Sequence, residues 1–305
     1  MYDIVVVGAG PAGMTAAIYA RRAAKTVLVL EALNYGGQIV NTPDIENYPL
    51  ESHISGFDFS AKVYEQAKGL GAEFVFEKVV EIRPEKDAKV IITSKNTYTA
   101  KTVILATGSE NRKLGLEDED KLVGRGVSYC ATCDGNFYRN KVVAVVGGGN
   151  TALEDALYLA DLAEKVYLIH RRDSFRGEEA NAARLKEKKN VEFIYNANVT
   201  KLISEKRLKA IEVTDKIDGS IRTIELNGLF IAVGRIPENQ NFAGLVKLDD
   251  AGYVIAGEDC HTNADGIFVA GDSRTKMLRQ LVTATGDGAV AATEAVKYIN
   301  NLETV

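Results

Sequence analysis

The chain contains a supersecondary unit that occurs twice, and this repeat constrains its fold more than any other feature. Residues 5–31 align with residues 144–170 at an offset of 139 without a gap, and eight of the twenty-seven positions are identical. Each copy has a β-branched strand, a glycine turn, an Ala/Leu-rich helix and a second apolar strand. That order is the pattern of a βαβ unit, so we predict an α/β protein with two Rossmann-like, three-layer domains.

Both glycine turns have the spacing Gly-x-Gly-x-x-Gly/Ala. They consist of Gly8, Gly10 and Gly13 in the first copy and of Gly147, Gly149 and Ala152 in the second. The first glycine of such a turn permits a sharp reversal, the second lets the backbone approach a pyrophosphate, and the third keeps helix and strand close. One turn of this kind can be purely structural, but two in the same context predict two dinucleotide sites at helix N-termini.

The residue that follows the second apolar strand differs between the copies. In the first copy it is Glu31, a carboxylate that can accept hydrogen bonds from the ribose hydroxyls of an unphosphorylated adenosine. In the second copy it is His170, and Arg171, Arg172 and Arg176 come after it. Guanidinium groups in place of a carboxylate favour a 2′-phosphate, which indicates NADP(H). The alternative is that the segment HRRDSFR is only a solvated basic turn.

Length and composition exclude several classes of protein. With 305 residues, 46% of them hydrophobic, the chain is long enough for two domains with real cores. A net charge of −5 gives no electrostatic reason to expect nucleic acid or an anionic membrane. No apolar stretch approaches the roughly 18 residues of a spanning helix, and the first residues do not have the pattern of a secretory signal. We therefore expect a cytoplasmic protein with no nucleic-acid and no membrane partner.

Short strands between and after the two copies indicate how the domains are connected. The segments TVILATG and LFIAVG each close a block of strands, and a third such strand, GIFVAGD at 266–272, follows the second block. We expect this strand and the Ala-rich helix behind it to return to the first domain. The predicted crossings lie near Asn111–Leu116 and Phe242–Leu248, where apolar periodicity lapses. The first domain would then comprise residues 1–112 and 246–305, with residues 113–245 inserted as the second.

Two of the three cysteines, Cys130 and Cys133, form a Cys-x-x-Cys pair in the segment GVSYCATCDG. A zinc site would need two further ligands, and the remaining cysteine and the three histidines do not have the required spacing. We therefore predict no metal site. A buried inert pair is disfavoured because Thr132 and Asp134 indicate a polar turn or helix start, where a thiolate is stabilised. Disulfide exchange is the favoured interpretation.

Over essentially its whole length the sequence resembles the low-molecular-weight thioredoxin reductases, a group of pyridine-nucleotide–disulfide oxidoreductases. The resemblance rests on motifs that occur in the family's order: GAGPAG (8–13), GGQ (36–38), ENYP (46–49), ATG (106–108), CATCDG (130–135), GGGNTA (147–152), HRRDSFR (170–176), GIFVAGD (266–272) and RQLVTATGDGAVAA (279–292). The family implies an FAD domain built from both chain ends and an inserted NADPH domain that carries the redox cysteines. It also implies a homodimer and a large rotation between the domains.

The resemblance extends the set of cofactor-binding residues. Those expected around FAD are Gly8, Gly10, Pro11, Ala12, Gly13, Glu31, Gly37, Gln38, Asn47, Ala106, Thr107, Gly108, Gly271, Asp272, Arg279 and Gln280. Those expected around NADPH are Gly147, Gly149, Asn150, Thr151, Ala152, His170, Arg171, Arg172 and Arg176.

The resemblance also implies an order of electron transfer. Hydride passes from NADPH to FAD, electrons then reduce the Cys130–Cys133 pair, and the dithiol attacks a disulfide of thioredoxin. Cys133 would face the flavin, Cys130 would be the attacking thiolate, and Asp134 would protonate the leaving thiolate. An aspartate here can also be only a turn or helix cap, so this role of Asp134 stays a hypothesis.

Two departures from the family pattern concern the linker and the partner surface. The segment LGLEDEDK at 114–121 stands where the family often has Pro-Gly-Glu, and Asn136 stands beside Phe137 where some members have paired aromatics. Alternative functions are a reductase of a glutaredoxin-like protein or of a peroxiredoxin-system protein. A hypothesis of another class is a non-catalytic redox sensor that binds FAD and NADPH.

Overall fold

The computed structural model describes residues 1–42, 44–51, 53–86 and 88–302. Its contacts divide the chain into two compact units, which we call the first and the second unit. The first unit comprises Met1–Glu110 and Ile236–Val305, and the second comprises Asn111–Arg235. The second unit is therefore an insertion in the chain of the first.

The described residues form strands and helices throughout both units. The strands are β1 (Tyr2–Val7), β2 (Val27–Glu31), β3 (Glu73–Phe76), β4 (Val79–Pro84), β5 (Lys89–Thr93), β6 (Thr97–Leu105), β7 (Ser109–Asn111), β8 (Val127–Ser128), β9 (Val142–Gly147), β10 (Lys165–Ile169), β11 (Val191–Ile194), β12 (Ala197–Ser204), β13 (Leu208–Asp215), β14 (Ile221–Glu225), β15 (Gly228–Ala232), β16 (Arg235–Pro237) and β17 (Ile267–Val269). The helices are α1 (Pro11–Arg22), α2 (Gly56–Gly69), α3 (Glu119–Leu122), α4 (Ala131–Asp134), α5 (Asn150–Ala160), α6 (Glu179–Glu187) and α7 (Leu281–Leu302). None of the helices described is both long and apolar enough to cross a membrane.

The first unit is built on a seven-stranded sheet in the order β3-β2-β1-β6-β5-β4, with β17 also paired to β6. The strands β3, β2, β1, β6 and β17 are parallel, whereas β6, β5 and β4 form an antiparallel meander. Because successive strand residues point to opposite faces, Ile4 and Val6 join one core and Val5 and Val7 the other. Helices α1 and α7 pack against the first of these faces.

The second unit has three layers. Its central sheet is parallel throughout, in the order β11-β10-β9-β15-β8. Helix α5 and Leu185 of α6 cover one face, and the antiparallel sheet β12-β13-β14 covers the other. The prediction of an α/β protein with Rossmann-like parallel sheets is confirmed.

The first crossing between the units falls at the start of the predicted segment Asn111–Leu116, whereas the second lies earlier in the chain than the predicted segment Phe242–Leu248. The units divide after Glu110 and after Arg235, rather than after residues 112 and 245. At the crossings β7 and β16 pair with each other. Asn239 then donates to the carbonyl oxygens of Gly252 and Ser273, and this ties residues 236–245 to the first unit. One buried asparagine produces no periodic pattern in the sequence, so the sequence did not indicate this boundary.

Candidate active site

The first glycine turn joins β1 to α1, and its three glycines have different surroundings. Gly8 has a φ of +108°, and a Cβ there would meet the carbonyl oxygen of Ala106. A Cβ on Gly13 would meet the carbonyl oxygen of Gly8, so packing requires glycine at both positions. Beyond its chain neighbours, no heavy atom of the described residues lies within 4 Å of the Cβ position of Gly10. The open space beside Gly10 can therefore admit a pyrophosphate.

Glu31 lies at the end of β2, beside this turn. Its Oε2 accepts a hydrogen bond from the amide of Ala9 at 2.8 Å, and its Oε1 accepts one from the amide of Leu33 at 2.9 Å. Helix α1 follows the turn and begins at Pro11. The first N–H groups of a helix have no partner within the helix, so a proline at this position loses no hydrogen bond. Each carboxylate oxygen retains a lone pair, so Glu31 can still accept from ribose hydroxyls.

Two distant segments pack onto the same turn. Gly37 has a φ of +63°, and its Cβ position lies 3.3 Å from the Cα of Gly10, which places the 3-10 turn containing Gln38 beside the glycine turn. Gly271 has a φ of +78°, and its Cβ position lies 2.9 Å from the Cβ of Ala12. The structure thus brings together predicted FAD residues from both ends of the chain.

Asn239 connects two further predicted segments. The ATG segment (106–108) follows β6, and the Oγ1 of Thr107 donates to the Oδ1 of Asn239 at 2.9 Å. The amide of Asn239 donates in turn to the carbonyl oxygen of Ser273 at 2.8 Å, next to Asp272. Asn239 is fully buried, so these bonds fix the two segments relative to each other.

Arg279 and Gln280 lie just before helix α7. The guanidinium of Arg279 is 4.0 Å from the ring centre of Tyr253, and Gln280 accepts a hydrogen bond from Asn47 at 3.2 Å. The Nε of Arg279 is buried and has no hydrogen-bond partner among the described residues. This buried donor, the open turn at Gly10 and the carboxylate of Glu31 fit a bound FAD.

The second glycine turn, between β9 and α5, repeats the steric pattern of the first. A Cβ on Gly147 would meet the carbonyl oxygen of Ala232 and would lie 2.6 Å from the Cβ of Ala152, whereas Gly149 has open space around it. Asn150 and Thr151 begin α5, and the Oδ1 of Asn150 accepts from the amide of Glu178 at 2.7 Å. This turn also fits a pyrophosphate at a helix N-terminus.

The basic segment at 170–176 folds back onto the second turn. The carbonyl oxygen of Gly148 accepts a hydrogen bond from the amide of Arg176 at 2.7 Å. The ring of His170 fills the space where a Cβ on Gly148 would lie, and burial together with the nearby guanidinium groups lowers the pKa of His170. His170 is therefore neutral at neutral pH and acts as a packing element of the turn.

The side chains of Arg171, Arg172 and Arg176 are exposed beside this turn. Among the residues that the structure describes, none of the three guanidinium groups has a hydrogen bond or an ion pair. Three uncompensated cations next to a pyrophosphate-binding turn can bind the 2′-phosphate of NADPH. The predicted NADPH residues thus lie together, all in the second unit.

Cys130 and Cys133 form a disulfide in the same unit, with their Cα atoms 5.3 Å apart. Both are partly exposed, and the short helix α4 begins between them at Ala131. Helix α4 packs against α5, and Gly135 lies against the ring of Tyr158, where a Cβ would be 2.7 Å from a ring carbon. The redox pair and the NADP-type turn are therefore connected through one helix.

Asp134 follows the disulfide directly. Burial raises the pKa of its carboxyl, and a hydrogen bond from the Ser128 hydroxyl to Oδ2, at 2.6 Å, opposes that shift. A carboxyl with a raised pKa holds its proton to higher pH than an exposed aspartate, which suits a proton donor. Its side chain accepts no hydrogen bond from a backbone amide in the described chain. The geometry therefore favours the role of a proton donor over that of a helix cap.

Most of the chain matches one protein family. The model of the family "Pyridine nucleotide-disulphide oxidoreductase" matches residues 2–288. The chain belongs to that family.

Relatives of this pyridine nucleotide-disulphide oxidoreductase are similar over nearly their full length. A thioredoxin reductase of Listeria monocytogenes is 43% identical over 304 residues, which cover 99% of this chain and 95% of that protein. A thioredoxin reductase of Bacillus subtilis is 40% identical, with 99% and 96% covered. The crystal structure of thioredoxin reductase from Streptococcus pyogenes superimposes with a TM-score of 0.94 at 39% identity, with 99% of both chains covered. The resemblance seen in the motifs is confirmed.

Some residues of this oxidoreductase's site were not identified from the sequence. Asn239, Tyr253, Asp287 and Ser128 contact predicted site residues but were not themselves predicted. Asn239 and Tyr253 lie in none of the motifs, so no local signal marks them. Ser128 stands two residues before Cys130 in GVSYCATCDG, and Asp287 lies in RQLVTATGDGAVAA, so their positions in these motifs are the local signals available.

Proposed function

We propose that this pyridine nucleotide-disulphide oxidoreductase is a thioredoxin-disulfide reductase, which passes electrons from NADPH through FAD to Cys130–Cys133 and on to thioredoxin. The observation that carries the proposal is the Cys130–Cys133 disulfide, adjacent to the mostly buried carboxyl of Asp134 in the unit with the NADP-type turn. The names of the relatives support thioredoxin over a glutaredoxin-like or peroxiredoxin-system partner.

The first unit would hold FAD and the second unit NADPH. When bound, FAD accepts a hydride from NADPH and delivers two electrons to the disulfide. The first glycine turn would bind the FAD pyrophosphate, and Glu31 would accept hydrogen bonds from the adenosine ribose. Arg171, Arg172 and Arg176 would bind the 2′-phosphate and so select NADPH over NADH.

The chemistry at the cysteines is an exchange of two disulfides. Once the pair is reduced, Cys130 would be the attacking thiolate, and Cys133 would be the cysteine that takes electrons from FAD. The Cys130 sulfur attacks one sulfur of the thioredoxin disulfide, so one S–S bond forms as the other breaks, and Asp134 gives a proton to the leaving thiolate. Cys133 then attacks Cys130 as its proton returns to Asp134, which restores the disulfide and releases reduced thioredoxin with one thiol and one thiolate.

The proposal includes a cytoplasmic homodimer. The homodimer is carried over from the family resemblance, and the cytoplasmic location is the expectation drawn from the sequence. The net charge of −5 supports the expectation of no nucleic-acid and no membrane partner.

Turnover distinguishes this enzyme from a redox sensor. The FAD-loaded protein is mixed with NADPH and an excess of oxidised thioredoxin, and NADPH absorbance is followed. We expect consumption to continue until the thioredoxin disulfide is exhausted. Consumption that stops at one reduction per protein would support the sensor, and faster turnover with a glutaredoxin-like protein would change the assigned partner.

A further inference from the structure

Ser128 occupies a fixed position beside the redox pair. It is the last residue of β8, is 2% exposed, and pairs in register with Phe230 of β15. Because β8 is part of the parallel sheet of the second unit, the sheet rather than the redox turn determines where the Ser128 hydroxyl lies.

The Ser128 hydroxyl connects Cys130 to Asp134. Its Oγ accepts a hydrogen bond from the amide of Cys130 at 3.1 Å and lies 2.6 Å from the Oδ2 of Asp134, to which it donates. A hydroxyl has one proton, and the other acceptor in reach, the carbonyl oxygen of Cys130, is farther away at 3.3 Å. The proton of Ser128 is therefore directed to the carboxyl group.

The two oxygens of the Asp134 carboxyl are not equivalent. Oδ2 accepts from Ser128, whereas Oδ1 is buried and has no hydrogen-bond partner in the described part of the chain. Ser128 is thus the group that sets the orientation of the carboxyl. It leaves Oδ1 as the oxygen that can gain and lose a proton.

The titratable groups near this carboxyl include two tyrosines and one arginine. Tyr138 lies on the following 3-10 turn, and burial raises the pKa of its phenol to about 12. Tyr158 faces the turn from α5, and Arg207, between β12 and β13, acts on Tyr138. Apart from the cysteines themselves, the balance at Asp134 is set by burial and by the Ser128 hydroxyl.

We propose that Ser128 is a positioning residue for proton transfer by Asp134. The inference rests on the proposed role of Asp134 as the acid. As the Cys130 sulfur attacks thioredoxin, the leaving thiolate takes the proton from Oδ1, and the hydrogen bond from Ser128 stabilises the carboxylate that remains. When the Cys133 thiol loses its proton to attack Cys130, Asp134 receives that proton and the acid is restored.

The test compares Ser128→Ala with Ser128→Thr, which retains the hydroxyl, and with Asp134→Asn. Reduced, FAD-loaded enzyme is mixed rapidly with oxidised thioredoxin over a range of pH. Loss of one hydrogen bond to a carboxylate raises its pKa by about one to two units, so in Ser128→Ala the alkaline limb of the rate profile, on which the rate falls as Asp134 loses its proton, should move to higher pH by that amount. We also expect the plateau rate to fall roughly 10-fold, whereas Ser128→Thr keeps the wild-type limb.

A small aromatic disulfide with an acidic leaving thiol serves as the matched control substrate. Such a leaving group departs as the thiolate and needs no proton, so wild type and Ser128→Ala should reduce it at equal rates. If the reduction rate of Ser128→Ala fell equally at all pH values and with both disulfides, the role of Ser128 would be purely structural. That result would overturn the inference.

The Asp134→Asn variant separates the inference about Ser128 from the proposed role of Asp134. If Asp134→Asn removes the limb but Ser128→Ala leaves it unmoved, the inference about Ser128 is wrong and the role of Asp134 stands. If Asp134→Asn retains the limb, the role of Asp134 itself is wrong.

Discussion

Asp287 and Arg274 form a two-point ion pair in the interior of the first unit. The Oδ2 of Asp287 is 2.9 Å from Nε of Arg274, and its Oδ1 is 2.8 Å from Nη2. The same Oδ2 accepts from Lys276 at 2.8 Å and from the amide of Gly271 at 2.9 Å. Burial alone would raise the pKa of Asp287, but these cations outweigh it and hold the pKa below its usual value. A residue of α7 thus anchors the loop that leads to Arg279.

Replacing Asp287 by Asn should destabilise the first unit. The buried Arg274 and Lys276 would lose their carboxylate, and breaking a buried pair in this way costs about 3–5 kcal/mol of unfolding free energy. Urea unfolding measures the change. Glu258→Gln is the matched control, because Glu258 also contacts Arg274, at 3.3 Å, but is 91% exposed. Equal stability of the two variants would contradict the structural role of Asp287.

The stability of the second unit should depend on pH through Asp155. Burial, and secondarily the charge of Glu154, raises the pKa of Asp155 to about 7. The unfolded chain releases this proton near pH 4, so stability falls as pH rises from about 4 to about 7. Asp155→Asn should therefore gain roughly 2–4 kcal/mol relative to wild type at pH 8 and little at pH 4. Urea unfolding of both proteins at the two pH values tests this. A stability difference between Asp155→Asn and wild type that is the same at both pH values would refute the raised pKa of Asp155.

Gly10 and Gly13 should respond differently to alanine. A Cβ on Gly10 meets no other part of the described chain, so Gly10→Ala should fold normally but weaken FAD binding by roughly tenfold or more, because the methyl group enters the pyrophosphate site. A Cβ on Gly13 meets the Gly8 carbonyl, so Gly13→Ala should lower stability by about 1–3 kcal/mol. Flavin titration and thermal melting separate these effects. Unchanged FAD affinity in Gly10→Ala would exclude this turn as the pyrophosphate site.

Changing Arg171 and Arg172 together to Ala should shift cofactor preference. Each charge-assisted contact contributes about 1.5–3 kcal/mol, so losing two should reduce the NADPH/NADH preference by on the order of 10²-fold. Michaelis constants for both nucleotides measure the shift, with Arg184→Ala as a control from the exposed surface of α6. FAD content should stay constant. A preference that does not change would support the solvated-turn interpretation.

The parts of the site that could be predicted from the sequence are local. Gly13 meets Gly8 only five residues away, and Glu31 and His170 are placed by strands that follow their own turns. Cys130 and Cys133 are three residues apart. In each case the steric or chemical requirement is met within one supersecondary unit, so the residue pattern shows it.

The remaining residues depend on pairing between distant segments. Asn239 bonds Thr107 across 132 positions, and Ser128 is positioned by the pairing of β8 with β15. Asp287 reaches Arg274 because α7 packs back onto the sheet of the first unit. No periodicity or spacing marks a single buried polar residue whose partner is set by tertiary structure, so these contacts could not be predicted.

The electron path from NADPH to thioredoxin is tested most directly by rapid mixing with Cys130→Ser and Cys133→Ser. Each FAD-loaded variant is mixed with NADPH while flavin absorbance is followed, and thioredoxin turnover is then measured. We expect the flavin to be reduced at close to the wild-type rate in both variants, because hydride arrives before the cysteines react. Neither variant should reduce thioredoxin catalytically. Near-normal thioredoxin turnover in either variant would contradict the assignment of Cys130 and Cys133 as the redox pair.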